Sequence, residues 1–377
     1  MKCCKEKFWA FPLNKTPLSL YVHLPWCETQ CPYCDFSITT EPINGNDIKL
    51  AHAIVQDISN STKLVDDRKF NSIYFGGGTP SLASVESIEY ILNSVQHQFS
   101  SPEIEITLEM NPNDVTEDKL KNLIKAGINR LSLGIQSYQN LELESLGRNH
   151  SQSSAIKATK MLAETNATID LMYGVEYQTL DSFTSNIRQF LESGVNHLSL
   201  YQLTIEPNTI FYKKELHLPD EGIIEEMEGA AKKLLEKNGF EQYEVSSWSK
   251  AGHKSQHNLN YWQFGDFLGV GPGSHSKISY QNEITRFRKI KPLEGYIKNQ
   301  KTTDLVSIEG DELDLDLAMN LLRIKNGLQR EEINVALPES FLDKYSKGVA
   351  EGLLLKNKIG ASDKGYQFLN ETIQLFF

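Results

Sequence analysis

Three cysteines, Cys27, Cys31 and Cys34, fall within the stretch WCETQCPYCDF (26–36). Five cysteines in 377 residues are too few for a disulfide framework, and clustered thiols in a reducing compartment more often bind metal or do redox chemistry. Structural zinc sites are closed and four-coordinate, usually built from two paired knuckles. Here the spacing is Cys-x3-Cys-x2-Cys with no second knuckle, so zinc would need a fourth ligand from a distant histidine. A four-iron cluster on three thiolates satisfies the spacing better, because it leaves one iron open to a small chelating molecule. An open position is what a catalytic metal needs and a structural one lacks. Cys3 and Cys4 are adjacent and match no ligand spacing.

Other residues suited to binding recur along the chain. In YFGGGTPS (74–81), Gly77 and Gly78 let a polar group approach the backbone and Thr79 adds a hydroxyl, without the lysine of a phosphate loop. LEMNP (108–112) offers the carboxylate of Glu109, SLGIQS (132–137) the amide of Gln136, GRNH (147–150) the guanidinium of Arg148, and TIDLMYG (168–174) the carboxylate of Asp170. In HNLNYW (257–262), His257 provides an imidazole of the kind that ligates haem iron, and Tyr261 and Trp262 suit stacking on a flat macrocycle. His253 and His275 lie nearby, and the sequence does not rank the three histidines as iron ligands.

Regular elements must position these groups. Apolar or β-branched runs at 18–24, 71–77, 104–110, 128–135, 167–173 and 196–203 alternate with helical stretches such as 116–127. Six β/α units predict an α/β fold whose parallel sheet curls into a partial barrel, with chemistry at the C-terminal strand ends. Each motif from Cys27 to Asp170 follows or ends one of these runs. We place the cluster-bearing barrel at 15–210, a covering extension with the HNxxYW stretch at 211–300, and a helical, winged-helix-like domain closing in a β-hairpin at 301–377.

Composition narrows the function. A net charge of −11 argues against a nucleic-acid surface, which needs lysines and arginines to displace counterions. No apolar run reaches the ~18 residues that suggest a membrane span. The N-terminal stretch lacks the apolar core of a secretory signal, so a cytoplasmic location is expected.

Taken together, these motifs resemble those of the radical S-adenosylmethionine (SAM) enzymes. The resemblance implies a TIM-type partial (β/α)6 barrel and a [4Fe-4S] cluster on Cys27, Cys31 and Cys34. It also implies SAM chelating the unique iron, where the reduced cluster releases a 5′-deoxyadenosyl radical. By matching position, Tyr21, Gly77, Gly78, Thr79, Glu109, Gln136, Arg148 and Asp170 would contact SAM, and Tyr33 would lie against a bound cofactor.

The ordered series YVHLPWC, CPYC, YFGGGTPS, LEMNP, GIQS, GRNH, DLMYG, YQLTIEPNT and HNLNYW is similar to the oxygen-independent coproporphyrinogen dehydrogenase group. Phe36 stands where the dehydrogenases place a further cysteine, and the segment before the first strand is short for their N-terminal extension. The HNxxYW stretch is associated with haem in the chaperone branch of the group. The expected function is therefore haem delivery to acceptor apoproteins, respiratory ones among them, without dehydrogenase activity, in the sphere of porphyrin metabolism. The resemblance also suggests homodimer formation and peripheral contact with membrane proteins. The alternatives are oxidative decarboxylation of coproporphyrinogen III and, in another class, a zinc-bearing binding module. One departure, YGVEYQT (173–179) for the usual YGLPGQT, predicts a differently shaped turn after the fifth strand.

Overall fold

The six apolar runs form six parallel strands in the computed structural model, which describes residues 16–65, 68–280 and 283–377. Cys3 and Cys4 lie outside the described residues. The strands are β1 (Leu18–Leu24), β2 (Phe70–Gly77), β3 (Glu105–Met110), β4 (Arg130–Gln136), β5 (Ala167–Tyr173) and β6 (His197–Gln202), paired in chain order. Their alternation is plain once the two faces are separated. Leu20, Phe75, Leu108, Leu133, Ile169 and Leu198 are buried in the apolar core with the helices, whereas Tyr74, Thr107, Ser132, Asp170 and Ser199 line an interior cavity. The period of two therefore sorts apolar residues outward and polar residues inward. Each fully buried Leu, Ile or Phe contributes about 1.5–3 kcal/mol to this packing.

The connecting helices start where their caps dictate. Thr116 accepts from the Lys119 N–H to open the helix Glu117–Lys125, and Asp220 accepts from Ile223 N–H to open Glu221–Lys237. After β6 the chain adds both flanks of the sheet. The hairpin β7 (Glu241–Glu244) and β8 (Ser247–Ser249) pairs antiparallel to β6, while β9 (Asp266–Val270) runs parallel beside β1. The antiparallel strands β10 (His275–Tyr280), β11 (Glu283–Lys289) and β12 (Thr302–Ile308) continue outward from β9. The order β12-β11-β10-β9-β1-β2-β3-β4-β5-β6-β8-β7 leaves two edges, so the twelve-stranded sheet is curled but not a closed barrel.

Buried ion pairs fasten the added strands. Asp266, fully buried, bonds Arg68 at 2.7 Å, Lys277 at 3.1 Å and the Ser279 N–H at 2.7 Å. Asp57 likewise accepts from Lys289 at 2.6 Å and from the Tyr296 hydroxyl at 2.7 Å. β12 belongs to this sheet, so the C-terminal helices begin at Gly310, beyond the boundary placed at 301. A separate core of Leu317, Leu321, Ile333, Phe341 and Phe376 holds them together. In place of a regular hairpin, single bridges Leu354↔Ala361 and Leu328↔Ile359 frame a loop wrapped on the Tyr345 hydroxyl. That hydroxyl accepts from Gly360 N–H at 2.9 Å and faces the carbonyls of Leu355, Lys358 and Gly360. No helix among the described residues is long and apolar enough to cross a membrane.

The turn at 173–179 is closed by Gln178, whose side chain accepts from Gly174 N–H at 2.8 Å. Tyr177 sits there at φ +65°, the left-handed region, in the position where the usual pattern has glycine. A side chain in that region costs about 1–2 kcal/mol, partly offset by glycine's larger unfolded-state entropy. Tyr177→Gly is therefore expected to raise stability by about 0.5–1 kcal/mol, read from a denaturant midpoint. A lower midpoint would show that the exposed Tyr177 ring does more than occupy the turn.

Candidate functional site

The thiol loop is closed at its base and pinned from the neighbouring strand. Cys27 N–H donates to Thr39 carbonyl at 2.9 Å and Thr39 N–H to Pro25 carbonyl at 2.8 Å. Within the loop, Cys34 N–H meets the Cys31 carbonyl at 3.1 Å. From the end of β2, Gly78 N–H donates to Leu24 carbonyl at 2.8 Å and Thr79 N–H to Trp26 carbonyl at 2.6 Å. This contact needs glycine: a Cβ on Gly78 would stand 2.5 Å from the Trp26 carbonyl oxygen, and one on Gly77, at φ +113°, 2.7 Å from the His23 ring. The glycine run thus serves the loop directly, and its amide donors at 78 and 79 are already committed.

Two side chains reach the sulfurs, Thr79 from just beyond β2 and Arg148 from the segment between β4 and β5. Thr79 Oγ1 lies 3.8 Å from Cys27 Sγ, and Arg148 Nη1 3.5 Å from Cys31 Sγ. Arg148 Nη2 also donates to Asn111 Oδ1 at 2.7 Å and to the Gly134 carbonyl at 2.9 Å, and Asn111 Nδ2 donates to Thr79 Oγ1 at 3.1 Å. Asn111 lies inside LEMNP, but nothing in its type distinguished it there from a loop residue.

Below the loop opens a cavity of about 390 Å³. Cys27, Cys31, Cys34, Tyr33, Gly77, Gly78, Thr79, Glu109, Gln136, Arg148 and Asp170 all line it. Gln136 reaches it from a left-handed backbone, φ +65°. Burial pushes the Glu109 carboxyl up to about 7, opposed by the bond from the Tyr74 hydroxyl at 2.8 Å and reinforced by Asp170. Burial likewise raises Asp170 to about 6, against hydrogen bonds from Ser199 and Ser132. The floor holds Arg130, Thr168 and His197, inward residues of β4, β5 and β6 that in sequence are indistinguishable from strand interior.

Tyr21 lies elsewhere, in an adjoining cavity of about 700 Å³ with His23, His257, Tyr261, Trp262 and His275. His253 is not among its walls, and its carbonyl accepts from Arg130 at 3.1 Å. His257 rides on a short helix, Gln256–Trp262, capped by Ser255. The Glu105 carboxylate accepts from the N–H groups of Gln256 and His257 at 3.0 and 2.9 Å and is itself paired with Arg130. The His257 ring is 4.9 Å from Tyr74 and its Nδ1 is 2.9 Å from Ser72 Oγ. Burial lowers this imidazole to about 3, so it stays neutral, the form that ligates metal. Tyr74, Glu109, Tyr201, Phe36, Gly77 and Asn258 line both cavities and form the wall between them.

The Radical SAM superfamily profile matches residues 21–190. Proteins described as heme chaperone HemW from Haemophilus influenzae and Escherichia coli are 36% and 34% identical, each over 96% of this chain and 98% of the relative. The chain belongs to the HemW family. The solved structure of coproporphyrinogen III oxidase (HemN) from Escherichia coli has the same fold, with TM-score 0.79 at 20% identity over 96% of this chain and 90% of that one.

Membership in a radical SAM family implies a [4Fe-4S] cluster and SAM, and the HemW-family residues fit them. Three half-buried thiols face one cavity. That arrangement suits thiolates that each take a different iron. Burial pushes the Cys27 thiol up to about 11 and raises Cys34, so loading must release protons.

Proposed function

We propose that this HemW-family chain holds a [4Fe-4S] cluster on Cys27, Cys31 and Cys34, binds SAM in the cavity beside them and haem in the adjoining one, and delivers haem to acceptor apoproteins. The observation that carries this reading is the shared wall: the thiol cavity and the His257 cavity abut through Tyr74 and Glu109. When bound, the cluster and SAM supply one-electron chemistry at the open iron. The chain's own residues position and shield. Arg148 places positive charge beside Cys31, and Asn111 ties it to Thr79. Glu109, Gln136 and Asp170 present polar groups to the SAM nucleoside. His257 offers a neutral imidazole, and Tyr261 and Trp262, with centroids 4.4 Å apart, offer aromatic surface to a macrocycle. Acceptors include respiratory haem proteins, and the setting is the cytoplasm.

Anaerobic reconstitution with iron and sulfide, followed by haem titration, tests the reading. Wild type should develop a Soret band with haem, and His257→Ala should bind haem at least about tenfold more weakly, ~1.4 kcal/mol. No haem-dependent Soret band, or conversion of coproporphyrinogen III to protoporphyrinogen, would favour the dehydrogenase.

Glu109 gives a pH signature. A carboxylate accepts hydroxyl donors more strongly than a carboxyl, and this group ionises near 7. Below that pH, binding that uses the carboxylate must first remove a proton. SAM affinity is expected to rise by up to about tenfold from pH 6 to pH 8, measured by equilibrium binding, and Glu109→Gln should flatten the profile. An unchanged slope in that variant would place the titration elsewhere.

A further inference from the structure

The second cavity has two unlike ends. One is aromatic: Tyr21 and Tyr74 stack with centroids 6.3 Å apart, and Tyr261 and Trp262 extend the surface. Trp262 Nε1 is buried there without an acceptor. The other end is built on β10 and β11. Antiparallel register sets His275 opposite Arg288 and Lys277 opposite Arg286, and the strand period puts all four on one face.

The uses of these cations differ. Lys277 is spent in the core on Asp266 at 3.1 Å, and Arg288 pairs with Asp304. Arg286 gives only Nη2 to Asp316, and its Nε has no acceptor. Lys291, just beyond β11, is exposed and makes no hydrogen bond or ion pair among the described residues. Arg286, Lys291 and His275 all line the cavity. Of its two carboxylates, Glu109 is bonded to Tyr74, and Asp35 lies on the thiol loop. In a chain of net charge −11, an uncommitted lysine and a half-used arginine beside an aromatic pocket form a local anion site.

We propose that Arg286 and Lys291 form a carboxylate-binding end of this cavity, and that its ligand is a planar aromatic dianion, a tetrapyrrole with ionised propionates. The volume of about 700 Å³ is that of a site for one such molecule. The proposal rests on the haem reading above and adds what fixes the ring's orientation: carboxylates at the β10–β11 end, macrocycle on the wall formed by Tyr74, Tyr261 and Trp262. Guanidinium and ammonium groups recognise carboxylates through ion-paired hydrogen bonds, whereas a neutral ester carbonyl can accept a hydrogen bond from them but cannot form the ion pair.

The test compares haemin with haemin dimethyl ester on the full chain, by Soret titration. Wild type should bind haemin at least about tenfold more tightly than the ester. Lys291→Glu, at an exposed position, should remove most of that preference while leaving ester affinity within about twofold, and Arg286→Lys should reduce it in part. Equal affinity for the two ligands in wild type, or equal weakening of both in Lys291→Glu, overturns the carboxylate end while the haem reading stands. Binding of neither ligand by wild type overturns both.

Discussion

Gly78→Ala is expected to abolish assembly of the iron–sulfur chromophore. The new Cβ would lie 2.5 Å from the Trp26 carbonyl oxygen and 2.7 Å from the Pro25 carbonyl carbon, both backbone atoms with no rotamer to yield. Relief requires β2 and the thiol loop to part. Parting breaks the bonds from Gly78 to Leu24 and from Thr79 to Trp26, the latter only one residue before Cys27. Overpacking of about 1–3 kcal/mol plus about 1 kcal/mol for each lost hydrogen bond falls on the segment that sets the first thiol. Bound iron after anaerobic reconstitution should fall at least about tenfold, with the charge-transfer absorbance lost in step. Thr79→Val keeps the backbone bond and removes only the hydroxyl contacts to Cys27 and Asn111, so its loss should be smaller. Full iron loading of a folded Gly78→Ala protein would show that the glycine run does not position the loop.

Asp266→Ala should cost the most stability of any single change at the sheet's added flank. Asp266 has no exposed surface, and its removal strands Lys277 and Arg68, whose side chains are 2% and 7% exposed. Breaking a buried pair in this way costs about 3–5 kcal/mol, mostly from the uncompensated charge. For a chain this long the melting temperature should fall by about 5 °C, from ~2.1 cal/mol/K of unfolding entropy per residue. Pairing the change with Lys277→Met removes one stranded charge and should recover part of the loss. A single variant within about 1 kcal/mol of wild type would mean that water reaches the pair and solvates it.

Much of this architecture is legible in the residues. Strands at 18–24 and 167–173 have the predicted bounds, since apolar runs flanked by turn residues leave little choice. The motif residues come together because strands adjacent in sequence are adjacent in the sheet. β9 is hard to see in the sequence for a physical reason. Gly269 and its neighbours dilute the strand signal, yet a Cβ there would meet the His275 carbonyl oxygen at 2.0 Å, so the glycine exists to let β10 cross closely. Tyr74 is hidden in the same way: in sequence it is one aromatic of the run leading into the glycines, and only the sheet makes it an inward position of β2. Arg130 and His197 look like interruptions of apolar strands until the barrel interior gives them a cavity to face. The departure at 173–179 places Tyr177, at φ +65°, in a backbone region that glycine favours.

Tyr74 touches both cavities, ring to His257 and hydroxyl to Glu109, and that shared contact constrains any carrier built this way. Binding at the two cavities closes a thermodynamic cycle. Whatever factor an occupant of the first applies to affinity in the second is returned in full by the second to the first. A cofactor that strengthens the hold on cargo is itself held harder by cargo, so co-binding alone gives no direction to transfer. Direction must enter from outside the cycle, through departure of one occupant, a change in its charge, or an acceptor that competes for the cargo.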